Sequence, residues 1–99
     1  MTPLLLTDRA ERLLCYLARE HAAGRDPSAA ETGTALRFGS GNVLHVQTEL
    51  VRAGAATWTW VFVSGRQCRR LQLTERGMRA GTGKEPIARK RNTMWRAVG

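Results

Sequence analysis

The chain has 99 residues, 42% of them apolar and 24% charged, which is enough for one modest core and too apolar for a disordered tail. Its longest apolar runs, Leu4-Leu5-Leu6 and Trp60-Val61-Phe62-Val63, are far too short to span a bilayer, and the first lacks the length and basic flank of a signal peptide. A cytoplasmic protein with no membrane attachment is expected.

The net charge of +8 is unevenly placed. Residues 1–64 carry six basic and six acidic side chains, whereas residues 65–99 carry ten basic groups against Glu75 and Glu85. Such a field favours a polyanionic partner, because each Lys or Arg that neutralises a phosphate releases a condensed counterion. It equally fits a solubilising tail in an Arg-rich chain. Cys15 and Cys68 stand far apart with no short paired spacing, so neither a disulfide scaffold nor a metal site with His21 and His45 is expected.

In chain order, a first helix is expected from Asp8 to Ala23. Thr7 serves as its N-cap, Asp8 and Glu11 suit the helix dipole, and Ala10, Leu13, Leu14, Leu17 and His21 share one face. Gly24 closes it. Ser28-Ala29-Ala30-Glu31 has the form of a capping box and starts a short second helix to Leu36, with Ala30, Ala35 and Leu36 as apolar contacts. A turn over Phe38–Asn42 leads to a third helix over 41–53. There Val43, Val46 and Leu50 face inward and Asn42, His45, Thr48, Glu49 and Arg52 outward, with Gln47 beside the stripe and Gly54 as a left-handed cap.

The period then changes to two. Thr57–Val63 reads as a strand, Ser64-Gly65 as a turn and Cys68–Thr74 as the returning strand, with Leu71 and Leu73 on one side. Arg66, Gln67, Arg69 and Arg70 lie at the tip and on the return strand, where they suit phosphate contact or keep an exposed edge soluble. A Gly-containing linker (Gly81-Thr82-Gly83) and a basic tail over 80–99 follow the domain of residues 1–79. Pro86 is placed at the tail's first turn, and Ile87, Met94, Trp95 and Val98 share a helical face.

Three helices followed by a two-stranded hairpin resemble the winged helix-turn-helix family, an α+β fold. Leu6-Thr7-Asp8 with Leu13, Leu14 and Leu17 resembles the first helix of bacterial winged-helix repressors. The stretch from Ser40 through Asn42-Val43 to Leu50 and Gly54 is similar to their recognition helix. Leu73-Thr74-Glu75-Arg76-Gly77 resembles the Leu-Thr-x-x-Gly segment after the wing of MarR-like and PadR-like regulators.

The resemblance implies a transcriptional regulator, typically a repressor, that binds double-stranded DNA as a homodimer with its third helix in the major groove. Asn42 would pair with adenine, Ser40, His45, Gln47 and Thr48 would meet other base edges, and Arg52, Arg66, Arg69 and Arg70 would grip the backbone. A two-stranded wing buries one face only. Trp58, Trp60 and Phe62 therefore need a cover, expected from Ile87, Met94, Trp95 and Val98 of the same or a second subunit. No cofactor, metal, small-molecule substrate or catalytic residue is expected. Two other readings compete: a winged-helix module for protein or RNA contacts built on the Trp-rich strand and tail, and a sequence-neutral DNA coater.

Overall fold

A stripe of apolar side chains on the first helix organises the core. The computed structural model describes residues 3–90, and α1 spans Asp8–Ala22 with Ala10, Leu13, Leu14, Leu17 and Ala18 buried. The Thr7 hydroxyl caps it by accepting from the Ala10 amide at 3.4 Å. His21 is half-buried at the helix end, 3.8 Å from Asp26.

The second helix, α2 (Ala29–Leu36), opens on the expected capping box: Ser28 Oγ accepts from the Glu31 amide at 3.1 Å, and the Glu31 carboxylate accepts from the Ser28 amide at 2.9 Å. That second bond holds the Glu31 carboxyl below its ordinary range. The expected apolar contacts are corrected in part. Ala30 and Ala35 are exposed, and the helix instead buries Thr32, whose hydroxyl donates to the Ser28 carbonyl at 2.8 Å. It approaches its neighbour through Gly33, where a Cβ would lie 3.2 Å from Val43 Cγ2.

The third helix, α3 (Ser40–Arg52), buries Val43, Val46 and Leu50 and ends at Ala53, with Gly54 left-handed at φ 83. Strands β2 (Ala56–Val63) and β3 (Arg66–Leu73) pair antiparallel, from Ala56 opposite Leu73 to Val63 opposite Arg66. Ser64 (φ 52) and Gly65 (φ 77) are both left-handed, as a two-residue hairpin turn that follows the strand twist requires. The return strand thus begins at Arg66, two residues before the expected Cys68.

Three elements go beyond the sequence reading. Leu4–Leu6 form β1, Glu75–Gly81 form α4 and Ile87–Arg89 form β4, with β1 and β4 paired in parallel, Leu4 opposite Ile87 and Leu6 opposite Arg89. Leu4 and Leu6 are buried in the core, while Leu5 is exposed. The stretch read as a linker starts inside α4, where Ala80 is buried and Gly81 lies on α1: a Cβ there would be 2.6 Å from Ala18 Cβ. Pro86 precedes a strand rather than opening a helix, and Ile87 packs on the core from β4. Its expected companions Met94, Trp95 and Val98 lie outside the described residues. The described chain is therefore an α+β fold of four helices, a parallel ribbon and an antiparallel hairpin. No helix among the described residues is long and apolar enough to cross a membrane.

Two contacts hold the C-terminal part of this body in place. At Gly77 the α4 backbone passes so close to residue 55 that a Cβ would be driven into the Ala55 carbonyl. The Glu85 carboxylate, 2% exposed, accepts from Arg76 at 2.7 Å and from Arg79 at 3.3 Å. The bond from Arg76 holds its carboxyl below the ordinary range, against the opposing effect of burial.

Gly77→Ala is expected to cost about 3 kcal/mol or more, because the obstacle is backbone and not a movable side chain; urea unfolding measures it. For Glu85 the folded carboxyl is more acidic than the unfolded one. Its stabilisation is therefore whole above the ordinary Glu value and is lost as pH falls through the folded value. Glu85→Gln should lower the urea midpoint at neutral pH, and the gap to the parent should narrow steadily towards strong acid.

Candidate nucleic-acid interface

With its inward stripe in the core, α3 exposes Asn42, His45 and Arg52 and leaves Gln47 and Thr48 half-exposed; Ser40 opens the helix. The side chains of Asn42, His45 and Gln47 make no hydrogen bond or ion pair among the described residues. Their donors and acceptors thus stay open to a ligand. Thr48 differs: its hydroxyl donates to the Leu44 carbonyl at 2.9 Å, which leaves it an acceptor only.

Glu49 corrects the expected outer face. Its carboxylate accepts from the Thr7 amide at 2.8 Å and from the Thr7 hydroxyl at 2.7 Å. Thr7 is thus a junction, donating to α3 while it caps α1. The one acidic side chain of α3 is thus engaged by Thr7, though it stays half-exposed on the wall of the groove beside the helix.

One flank of α3 also meets the ribbon. Leu5 and Lys90 from β1 and the end of β4 face Leu44, His45, Thr48 and Arg52 across an open groove of about 700 Å³. Leu44 is 50% exposed there. Nothing local in the sequence marks either residue: Leu44 lies off the buried stripe, and Lys90 reaches α3 only through the pairing of β4 with β1. Arg37, equally unmarked by local pattern, is exposed and left-handed (φ 59) at the C-cap of α2, just before the turn into α3.

The hairpin that follows carries three arginines and no acidic residue over 56–73. Arg66 and Gln67 are exposed beside the turn. Arg69 lays its guanidinium 4.5 Å from the centre of the Trp58 ring. Arg70 does not stand free: it donates to Asp26 Oδ2 at 2.8 Å and to the Asp26 carbonyl at 3.2 Å, tying β3 to the loop before α2. Of the aromatic residues expected to share an interface, Trp58 is half-buried on the core, while Trp60 and Phe62 are 63% and 78% exposed.

Other chemistry is sparse in the described residues. Cys15 and Cys68 are free and half-buried, and burial, with Glu11 adding to it, pushes the Cys15 thiol up and away from the reactive thiolate. No group of three His, Cys, Asp or Glu side chains is placed to hold a metal ion among the described residues. Comparison with family models, curated proteins and solved structures finds no match to this chain.

Glu49→Ala should cost about 1–3 kcal/mol in chemical unfolding, since it removes a charged acceptor and leaves the Thr7 amide unpaired. Glu49→Gln, which keeps one acceptor oxygen, should lose less than half of that.

Proposed function

We propose that this chain is a winged helix-turn-helix protein that binds double-stranded DNA sequence-specifically and regulates transcription. The observation that carries the reading is the pairing of two surfaces. One is a helix whose Asn42, His45 and Gln47 have no partner among the described residues. The other, immediately after it in the chain, is a basic hairpin without an acidic residue.

In this reading α3 enters the major groove. Asn42 matches the donor–acceptor pair of adenine, and His45 and Gln47 meet neighbouring base edges. Thr48 contributes an acceptor. Arg52, Arg66 and Arg69, with Arg37 before the helix, contact phosphates, which fixes register without reading sequence. Gly39 at the N-cap brings no side chain to the first-turn amides of α3, so Ser40 and Gly41 also present backbone donors to a phosphate. Arg70, held by Asp26, orients the hairpin and does not contact DNA. Two copies on an inverted repeat would double these contacts.

The exposed rings of Trp60 and Phe62 favour a second reading, in which the hairpin and not α3 is the working surface.

Selection from a random duplex pool at two salt concentrations separates these. The proposal expects an enriched motif, and Asn42→Ala or His45→Ala should each lose about 1–3 kcal/mol of discrimination at one position. Arg66→Ala and Arg69→Ala should weaken all sequences alike and each reduce the salt slope by about 1. Binding without enrichment that collapses with salt would mean a sequence-neutral coater, and no binding at low salt would remove DNA as the partner.

A further inference from the structure

Along β2 the side chains of Ala56, Trp58, Trp60 and Phe62 fall on one side of the hairpin, with Leu73, Leu71, Arg69 and Gln67 opposite them on β3. Burial runs out along this face. Ala56, Leu71 and Leu73 are in the core and Trp58 is half-buried, but Trp60 and Phe62 stand beyond it. The hairpin is thus anchored at its base and carries two aromatic rings outward on a stiff paired ladder.

Successive residues on one side of a strand are about 6.8 Å apart. That is twice the roughly 3.4 Å rise between stacked bases, so the spacing of Trp60 and Phe62 admits one flat ring between them. Arg69 sits opposite Trp60 in the ladder, its guanidinium over the Trp58 ring, while Arg66, opposite Val63, lies on the other side of the hairpin. Neither arginine makes an ion pair among the described residues.

We propose that the outer half of this hairpin is a stacking platform for unpaired nucleobases, with Trp60 and Phe62 holding a base and Arg69, on the same side, a flanking phosphate. The charge selects this occupant. A second copy of the hairpin would bring arginine against arginine with no acidic residue to relieve it. A single strand instead offers ring faces and phosphates together. Bases must be unpaired because, within a duplex, neighbouring bases already cover both faces of each ring. The inference rests on reading the chain as a nucleic-acid binder but not on α3.

The test uses the full chain and a fluorescein-labelled deoxythymidine oligomer of about 12 nucleotides, followed by anisotropy at low salt, beside a duplex carrying any selected motif. The expected result is binding that Trp60→Leu/Phe62→Leu weakens by about 5- to 150-fold for each stacked base. Those leucines keep the apolar bulk but remove the ring faces, and the thermal melt should stay close to that of the parent because both sites lie outside the core. Trp60→Phe/Phe62→Tyr should restore binding, and duplex affinity should not move in either variant.

Undiminished oligomer binding by the leucine variant, or no oligomer binding by the parent, overturns the proposal. Oligomer binding lost in the leucine variant while no duplex motif is found would sink the α3 reading alone. A duplex motif without oligomer binding would sink the stacking platform alone.

Discussion

Where α4 crosses the end of α3, two backbones touch with no side chain between them, and the rest of the architecture is built around that corner. Gly77 supplies the only residue type that fits against the Ala55 carbonyl. Thr74 closes the corner from the other side: its amide donates to the Ala55 carbonyl at 3.0 Å, and its hydroxyl donates to the Gly54 carbonyl at 2.8 Å while accepting from the Gly77 amide at 3.0 Å. Both ends of the hairpin, Ala56 and Leu73, are thereby pinned to α3, which sets the direction in which the exposed tip projects. From the same corner α4 runs back along α1, brings Arg76 and Arg79 to Glu85, and returns the chain to pair with β1.

Charge is distributed by the fold as much as by composition. Asp26 takes Arg70, Glu20 takes Arg25, and Asp8 and Glu11 take Arg89 at 3.1 and 2.9 Å. Exposed pairs of this kind contribute roughly 0–1 kcal/mol each. Their larger effect is to occupy acidic groups on the α1 side. Arg37, Arg52, Arg66 and Arg69, around α3 and on the hairpin, make no ion pair among the described residues. Among the described residues, Arg66 and Arg69 of the basic last third thus lie, with Arg37 and Arg52, outside the ion pairs.

Local signals carried α1, α2, α3 and the hairpin: a helical period in Ala10–Leu17 and Val43–Leu50, caps at Thr7 and Ser28, a period of two in the Trp-rich strand, and a Ser-Gly turn. β1 and β4 carried none. Each is three residues long, and their partners are more than eighty positions apart. α4 was hidden because its seven residues include two glycines, which lower helix propensity, the second of them read as the start of a linker, yet both are there for close packing. On the candidate site, the helical period was enough to place Asn42 and His45 outward. It could not reveal that Glu49 and Arg70 are engaged, because their partners Thr7 and Asp26 lie 42 and 44 residues away.

The sequence by itself determined the inward stripes, the caps, the hairpin turn and the concentration of arginine after the third helix, because each is a relation among residues within a few positions of one another. The tertiary structure decided which of the polar side chains remain available. A charged group is free or spent according to what long-range packing brings within about 3 Å of it. That packing rests on the Gly77–Ala55 approach, a contact with no periodic trace in the chain.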